Sequence, residues 1–344
     1  MGIYPQIYIF AGRMAYYFIN FGPVKTQPMN QIPSADLRDF ISGDPQRKNA
    51  FVEQLGGAFE DIGFVALSGH FLSEELVEEL YSQVKNFFNL PQEVKAKYEI
   101  EGIGGQRGYT SFGKEHAKGR KAGDLKEFWH FGQYVEDDPE LEAEYPDNVL
   151  VEELPEFNKV GREAYKMLEK TAQYVLRALA LRLELPENYF DEFIHNGNSI
   201  LRPIHYPPIT EEPKDAVRAA AHGDINLITL LMGAHGKGLQ VQNHKGEWID
   251  AIAAPDQLMI NVGDMLSRLT NNRLKSTIHR VVNPPRELWG TSRYSIPFFM
   301  HPISTMPLDC LEHCIDEENP KRFEDITAGE FLHERLVELG LVKK

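Results

Sequence analysis

Apolar positions along the chain change their period partway through. From Lys48 to Asp61 they recur at helical spacing, with Phe51, Leu55, Ala58 and Phe59 on one face. Gly63 to Leu67 follows as a short continuous apolar run, which predicts a buried strand, and Ile32 to Leu37 predicts a short strand turning into a helix. Ser73, the acidic pair Glu74 and Glu75, and then Leu76, Val77 and Leu80 mark a capped helix running toward Phe88; Pro91 opens another short one through Tyr98. Phe157 to Leu183 places Val160, Tyr165, Leu168, Ala172, Val175 and Leu179 at helical spacing, a long amphipathic helix ended by Pro186. A short helix is expected from Asn188 to Phe193. Beyond Ser199 the text changes. Short apolar runs at 227–232, 258–262, 278–282 and 294–299 alternate with turn signals such as Gly236-Lys-Gly, His244-Lys-Gly-Glu and Asn271-Asn272. Short strands joined by tight turns predict a closed double sheet, a jelly roll. Pro297 interrupts the last run and predicts an edge or a bulge there. Thr327 with Glu330 three residues later predicts a capped helix reaching Leu341. The expected architecture is α+β: a helix-rich region at 31–196, a jelly-roll (double-stranded β-helix) core at 197–302 and a helical tail at 303–344.

Composition narrows the function classes. Residues 1–30 are aromatic-rich but interrupted by Arg13 and three prolines, and read as a loosely ordered extension. No apolar run there approaches the ~18 residues of a membrane span, and no basic start or cleavage site marks a secretory signal. The net charge of −15 repels phosphate backbones and anionic lipid, so neither nucleic acid nor a membrane surface is an expected partner, and no obligate protein partner is implied. The two cysteines, Cys310 and Cys314, imply no disulfide framework and fit reduced thiols in a cytoplasmic protein. A zinc site using both with His313 would need a fourth ligand at an unfamiliar spacing. The glycine-rich basic stretch from Glu101 to Gly132 lacks the Gly-Lys-Ser/Thr of a phosphate loop, so a nucleotide site is rejected.

Candidate chemistry concentrates between Ala221 and Arg293. Residues two apart on a strand share a face, so His222 and Asp224 are expected to point the same way, as are Arg293 and Ser295. His279, arriving on a later strand, completes two imidazoles and one carboxylate. That set suits non-haem Fe(II) and leaves coordination positions open for a chelating 2-oxo acid and O2. A guanidinium forks onto a carboxylate through two charge-assisted bonds and a hydroxyl adds a third, so Arg293 and Ser295 are suited to a co-substrate's far carboxylate. The same alternation puts Phe299 on their face. His205 alternates away from Tyr206 and is expected not to ligate, and His235, His244, His301 and His313 are expected at the surface.

The text around these residues resembles one family closely: His222-Gly-Asp-Ile-Asn-Leu-Ile-Thr229, Gly238-Leu-Gln-Val241, Trp248-Ile249, Asn261-Val-Gly-Asp264, Lys275-Ser-Thr-Ile-His279 and Arg293-Tyr-Ser295. It is similar to the Fe(II)/2-oxoglutarate-dependent dioxygenases of the isopenicillin N synthase-like group, from about Ile32 to about Pro302. The resemblance implies Fe(II) held by His222, Asp224 and His279. It implies 2-oxoglutarate held by Arg293, Ser295 and Tyr206, with O2 as second co-substrate. Phe299 resembles the aromatic that flanks the substrate. The segment ending at Gly132 resembles the cover of the pocket mouth, which makes Arg107, Tyr109 and His130 candidates for substrate contact. The chain departs from the family's frequent Asn-x-Tyr-Pro: Ile204 stands where the asparagine would be. The implied reaction is hydroxylation, desaturation or ring closure of a small organic molecule with release of succinate and CO2. An isopenicillin N synthase-type oxidase without 2-oxoglutarate, an ethylene-forming reaction, a non-catalytic binding module and a zinc hydrolase remain as alternatives.

Overall fold

The computed structural model describes residues 31–338 apart from 104, 115–123, 213–216 and 233–237. The expected extension at 1–30, the basic residues Lys118, Arg120 and Lys121, His235, the start of the Gly236-Lys-Gly turn and the end of the tail helix lie outside the described residues.

Local chemistry sets the helices. Ser73 accepts a hydrogen bond from the Leu76 amide at 3.2 Å, Glu74 and Glu75 sit at the positive end of the helix Glu74–Phe88, and Lys85 sits at its negative end. Pro155 opens the long helix Pro155–Arg182, where its missing N–H costs nothing. In the tail, Thr327 and Glu330 bond reciprocally, with the Thr327 amide to the Glu330 carboxylate at 2.9 Å and the Glu330 amide to the Thr327 hydroxyl at 3.3 Å. The expected short helix after Pro186 is confined to Asp191–Ile194. Among the described residues no helix is long and apolar enough to cross a membrane.

Two sheets are formed by β1 (Ser34–Asp36), β2 (Phe64–Ser68), β3 (Gly108–Thr110), β4 (Glu127–Gly132), β5 (Ile200–Leu201), β6 (Ile204–Tyr206), β7 (Ala219–His222), β8 (Ile228–Met232), β9 (Leu239–Gln242), β10 (Trp248–Asp250), β11 (Leu258–Val262), β12 (His279–Val281) and β13 (Arg293–Met300). The larger runs β1-β2-β11-β8-β13-β5-β4-β3, with β6 pairing both β13 and β4; the smaller runs β10-β9-β12-β7. From β7 onward the chain keeps changing sheets. β7 lies in the small sheet, β8 in the large, β9 and β10 in the small, β11 in the large, β12 in the small and β13 in the large. That alternation is the double-stranded β-helix of a jelly roll.

Register places the chemistry. His279 stands opposite His222, Arg293 opposite Tyr206, Ser295 opposite Ile204 and Phe299 opposite Thr229. Directly opposed residues share a face of the sheet, so each pair is delivered to one side. Pro297 is not at an edge, because β13 is central, with β8 on one flank and β5 and β6 on the other. The proline falls where one partner strand hands over to the next, after Ser295 pairs Ile204 and before Phe298 pairs Leu201. Its missing N–H therefore breaks no ladder bond on that flank.

The helix Pro155–Arg182 packs on the back of the large sheet. Gly161 allows the close approach: a Cβ there would lie 2.3 Å from the Phe131 ring. Phe87 stacks on Phe157 at 4.9 Å, and buried Trp129 meets both edge-on. A buried polar network ties the segment before β3 to the sheet. Lys95 bonds Glu127 at 2.8 Å, Tyr109 donates to the same carboxylate, and His205 joins Glu127 at 2.7 Å to Ser292 at 3.0 Å. Burial opposes ionisation of Glu127, but the bonds from His205, Lys95 and Tyr109 outweigh it and hold its carboxyl below the usual range. Cys310 and Cys314 are buried free thiols, and with His313 they form no metal-ligating cluster among the described residues.

Candidate metal and co-substrate site

β7 ends at His222, so Asp224 lies past the strand and strand alternation does not bring it to the histidine. Tertiary bonds do. The Asp264 amide donates to the Asp224 carbonyl at 2.7 Å, and Met265 to that of Ile225 at 3.1 Å, folding the turn back against the helix Asp264–Leu269. The Asp224 Oδ2 atom accepts from the Thr229 hydroxyl at 2.6 Å and the Asn261 amide at 2.8 Å. Its Oδ1 atom faces the two imidazoles, 3.8 Å from His222 Nε2 and 3.7 Å from His279 Nε2. The ligand atoms of His222, Asp224 and His279 all lie within 4.8 Å of one another, the one such cluster of metal-ligating groups among the described residues.

Each imidazole is aimed by its other nitrogen. His222 Nδ1 donates to the Ala220 carbonyl at 2.7 Å and His279 Nδ1 to the Thr277 carbonyl at 3.2 Å, which leaves both Nε2 lone pairs toward Asp224. Loss of water around the ring, then the neighbouring His279, push the His222 imidazole below the usual histidine range, although 46% of its side-chain surface remains open at the sheet edge. Burial opposes ionisation of Asp224. The two imidazoles and the bonds from Asn261 and Thr229 outweigh it and hold the carboxyl below its ordinary value. Neutral imidazole with ionised carboxylate is the state a metal requires. Thr229 and Asn261 lie inside stretches whose resemblance is visible in the sequence, but nothing local marks them as the groups that orient Asp224. Thr229→Val is expected to weaken Fe(II) binding by about 10-fold while the protein stays folded, the lower end for losing an outer-shell partner. Anaerobic Fe(II) titration with a circular-dichroism control checks it; an unchanged affinity would remove Thr229 from this role.

Arg293 and Ser295 share a face as the alternation predicts, and register puts Tyr206 opposite Arg293. Arg293 is only 3% exposed, and among the described residues its Nε and Nη1 atoms lack hydrogen-bond partners and it has no ion pair. Its guanidinium lies 5.0 Å from the Tyr206 ring centre. Ser295 and Tyr206 are buried beside it. An uncompensated buried guanidinium is costly, so the site fits a ligand that brings a carboxylate. Ile204 packs with Phe128 and Tyr206 in a small apolar cluster, so that position contributes packing instead of an amide.

The remaining candidates separate. Phe299 is half-buried opposite Thr229, the residue bonded to Asp224, which puts it on the metal side of β13. His130 meets Arg202, a residue the sequence reading did not single out, and the Arg202 guanidinium lies 4.6 Å from the Phe128 ring and 5.0 Å from the Phe299 ring. His301, expected at the surface, is half-buried within electrostatic reach of Asp224 and Arg202. Burial, against the pull of Asp224 and with a further push from Arg202, takes its imidazole down to about 4. Arg107 and Tyr109 are not drawn to this cluster. Arg107 is fully buried against Gly132, bonded to Asn198 at 2.9 Å and the Gln106 carbonyl at 2.8 Å, and Tyr109 serves the Glu127 network. His205 bonds Glu127 and Ser292 and takes no part in the metal cluster, as its alternation predicts.

Comparison with known proteins identifies the family. Residues 32–153 match the family model for the non-haem dioxygenase in morphine synthesis N-terminal region, and 197–302 match that of the 2OG-Fe(II) oxygenase superfamily. A 2-oxoglutarate-Fe(II) type oxidoreductase of Aspergillus fumigatus is 31% identical over 88% of this chain and 91% of its own. A 2OG-Fe(II) oxygenase family protein of Caulobacter crescentus, known by crystal structure, is 43% identical, covers 90% of this chain and 99% of its own, and superposes with a TM-score of 0.81. A full-length Neurospora crassa protein, solved in complex with alpha-KG, is 31% identical over 89% of this chain and 95% of its own, with a TM-score of 0.80. The chain belongs to the Fe(II)- and 2-oxoglutarate-dependent oxygenases, a dioxygenase family that uses Fe(II) with 2-oxoglutarate and O2.

Proposed function

We propose that His222 Nε2, Asp224 Oδ1 and His279 Nε2 hold the Fe(II), and that Arg293 and Ser295 hold the far carboxylate of 2-oxoglutarate beside Tyr206. The observation that carries this reading is the pairing of a three-ligand cluster within 4.8 Å with a buried guanidinium that has no anion of its own among the described residues. Bound Fe(II) supplies O2 activation coupled to decarboxylation of 2-oxoglutarate to succinate and CO2. The chain's own residues do the rest. The two carbonyl-bonded imidazoles and the doubly bonded carboxylate are pre-aimed, so little ordering entropy remains to be lost when the metal binds. Phe299, on the metal side of β13, and Phe128 flank the Arg202 guanidinium, which with His130 supplies polar groups next to them.

The substrate is a small, flat molecule bearing hydrogen-bond acceptors, and its oxidation is a hydroxylation. Arg202 between two aromatic rings supports the first part. So does the Neurospora crassa relative, whose further structures hold thymine or 5-formyluracil. A proline hydroxylase of Petromyces alliaceus, 32% identical over 90% of this chain, supports the second. The jelly-roll region 197–302 is the catalytic core, 31–196 its helical support and 303–344 its tail. Two buried thiols, unpaired among the described residues, fit a reducing compartment, and we place the enzyme in the cytoplasm.

The test is an anaerobic titration of the Fe(II)-loaded protein with 2-oxoglutarate. A visible charge-transfer band is expected, followed on admission of O2 by one succinate for each 2-oxoglutarate consumed. Iron binding without a band would overturn the co-substrate assignment and favour an oxidase of the isopenicillin N synthase type.

A further inference from the structure

Arg293 is not the only buried cation at the co-substrate end. Arg218 sits immediately before β7, the strand that carries His222, and is likewise only 3% exposed. Its guanidinium carbon lies 5.7 Å from the centre of the Tyr206 ring, the same ring that Arg293 approaches to 5.0 Å. Among the described residues Arg218 Nε has no hydrogen-bond partner, and the one side-chain bond of Arg218, from Nη2 to the Thr291 carbonyl, is long at 3.4 Å. Among the described residues neither guanidinium has an ion pair. Burial, then repulsion from Arg293, hold the Arg218 guanidinium below its ordinary basicity.

Two buried like charges around one phenol ring raise the energy of the protein by itself. A single arginine with a serine is enough to hold one carboxylate. A second guanidinium, with no counter-charge among the described residues, is repaid when the ligand carries enough negative charge to offset both. 2-Oxoglutarate is a dianion with its carboxylates at opposite ends. We propose that Arg218 is a further specificity-determining residue of the co-substrate pocket: with Arg293, around Tyr206, it selects a dianionic 2-oxo acid over a monoanionic one. The inference rests on the reading that Arg293 receives the far carboxylate.

The experiment compares 2-oxoglutarate with 2-oxopentanoate, which has the same carbon chain and 2-oxo acid head but lacks the far carboxylate. Both are titrated anaerobically into the Fe(II)-loaded wild-type protein, Arg218→Met, Arg218→Gln and Arg293→Met, and followed by the charge-transfer band. Arg218→Met is expected to weaken 2-oxoglutarate by roughly 10- to 30-fold, within the range of one charge-assisted contact, and to leave 2-oxopentanoate within about twofold. Arg218→Gln keeps a donor for the Thr291 carbonyl and removes the charge. It is expected to behave the same way, and it decides the matter if the methionine variant does not fold. The rise in Tm that 2-oxoglutarate gives the wild-type protein is expected to shrink in both, a readout that a purely structural arginine would not move.

Equal weakening of both ligands, or of neither, would overturn the proposal. If Arg293→Met collapses the preference for 2-oxoglutarate while the Arg218 variants keep it, only this inference fails. If Arg293→Met itself leaves the preference intact, the underlying co-substrate reading fails instead.

Discussion

Asp224→Ala is expected to abolish Fe(II)-dependent turnover and to weaken Fe(II) binding by more than about 100-fold, beyond the upper end for losing an outer-shell partner. The carboxylate is the only anion in the cluster, with an oxygen 3.7 Å and 3.8 Å from the two imidazole nitrogens. Removing it leaves two neutral nitrogens and discards the charge that draws a divalent cation out of water. The fold is expected to survive. Thr229 and Asn261 lose a shared acceptor, at a cost of about 1–3 kcal/mol for an unmet buried group. Against that, the protein no longer carries a buried carboxylate with no metal to neutralise it. Fe(II) binding measured anaerobically, beside a thermal melt of the metal-free protein, separates the two effects. Iron affinity within threefold of the wild type would sink the assignment of Asp224 as a ligand.

Arg293→Ala is expected to raise the Kd for 2-oxoglutarate by about 100-fold, from the loss of one or two charge-assisted bonds at roughly 1.5–3 kcal/mol each. Fe(II) affinity should stay within a few-fold, because Arg293 acts on the far end of the co-substrate. The metal-free protein is not expected to lose much stability. The substitution opens a cavity, which destabilises, but it also removes a guanidinium that is 3% exposed with two nitrogens unpartnered among the described residues. Arg293→Lys, which keeps the charge but loses the fork, should fall between the two. Titration of the charge-transfer band gives the Kd directly. A wild-type Kd in Arg293→Ala would move the far carboxylate elsewhere and leave the buried guanidinium unexplained.

Much of the molecule was legible because its signals are local or periodic. The helix Glu74–Phe88 announces itself through Ser73 and two glutamates, and the tail helix through Thr327 and Glu330, since caps are written in adjacent residues. β8 and β11 appear as apolar runs because each is covered on both sides. Arg293, Ser295 and Phe299 share a face because β13 is an uninterrupted strand, so alternation alone was enough.

What failed in the sequence reading failed where one segment's meaning depends on another. Pro297 looked like an edge because sequence does not show that β5 and β6 divide the flank of β13 between them. His301 looked like surface because the approach of Asp224 and Arg202 is a matter of tertiary packing. The depth at which Arg107 and Tyr109 are buried was not legible, because a glycine-rich loop gives no sign of how deeply its polar side chains sit.

The sequence by itself determined the residue types of the metal cluster, their order and the two periodicities that build an α+β jelly roll, because these depend on short-range spacing. Only the tertiary structure decided how Asp224 reaches the histidines after β7 has ended, which of its oxygens Thr229 and Asn261 occupy, and that Arg218 and Arg293 meet around one tyrosine. Those facts depend on register and burial across two sheets, quantities that no single segment encodes.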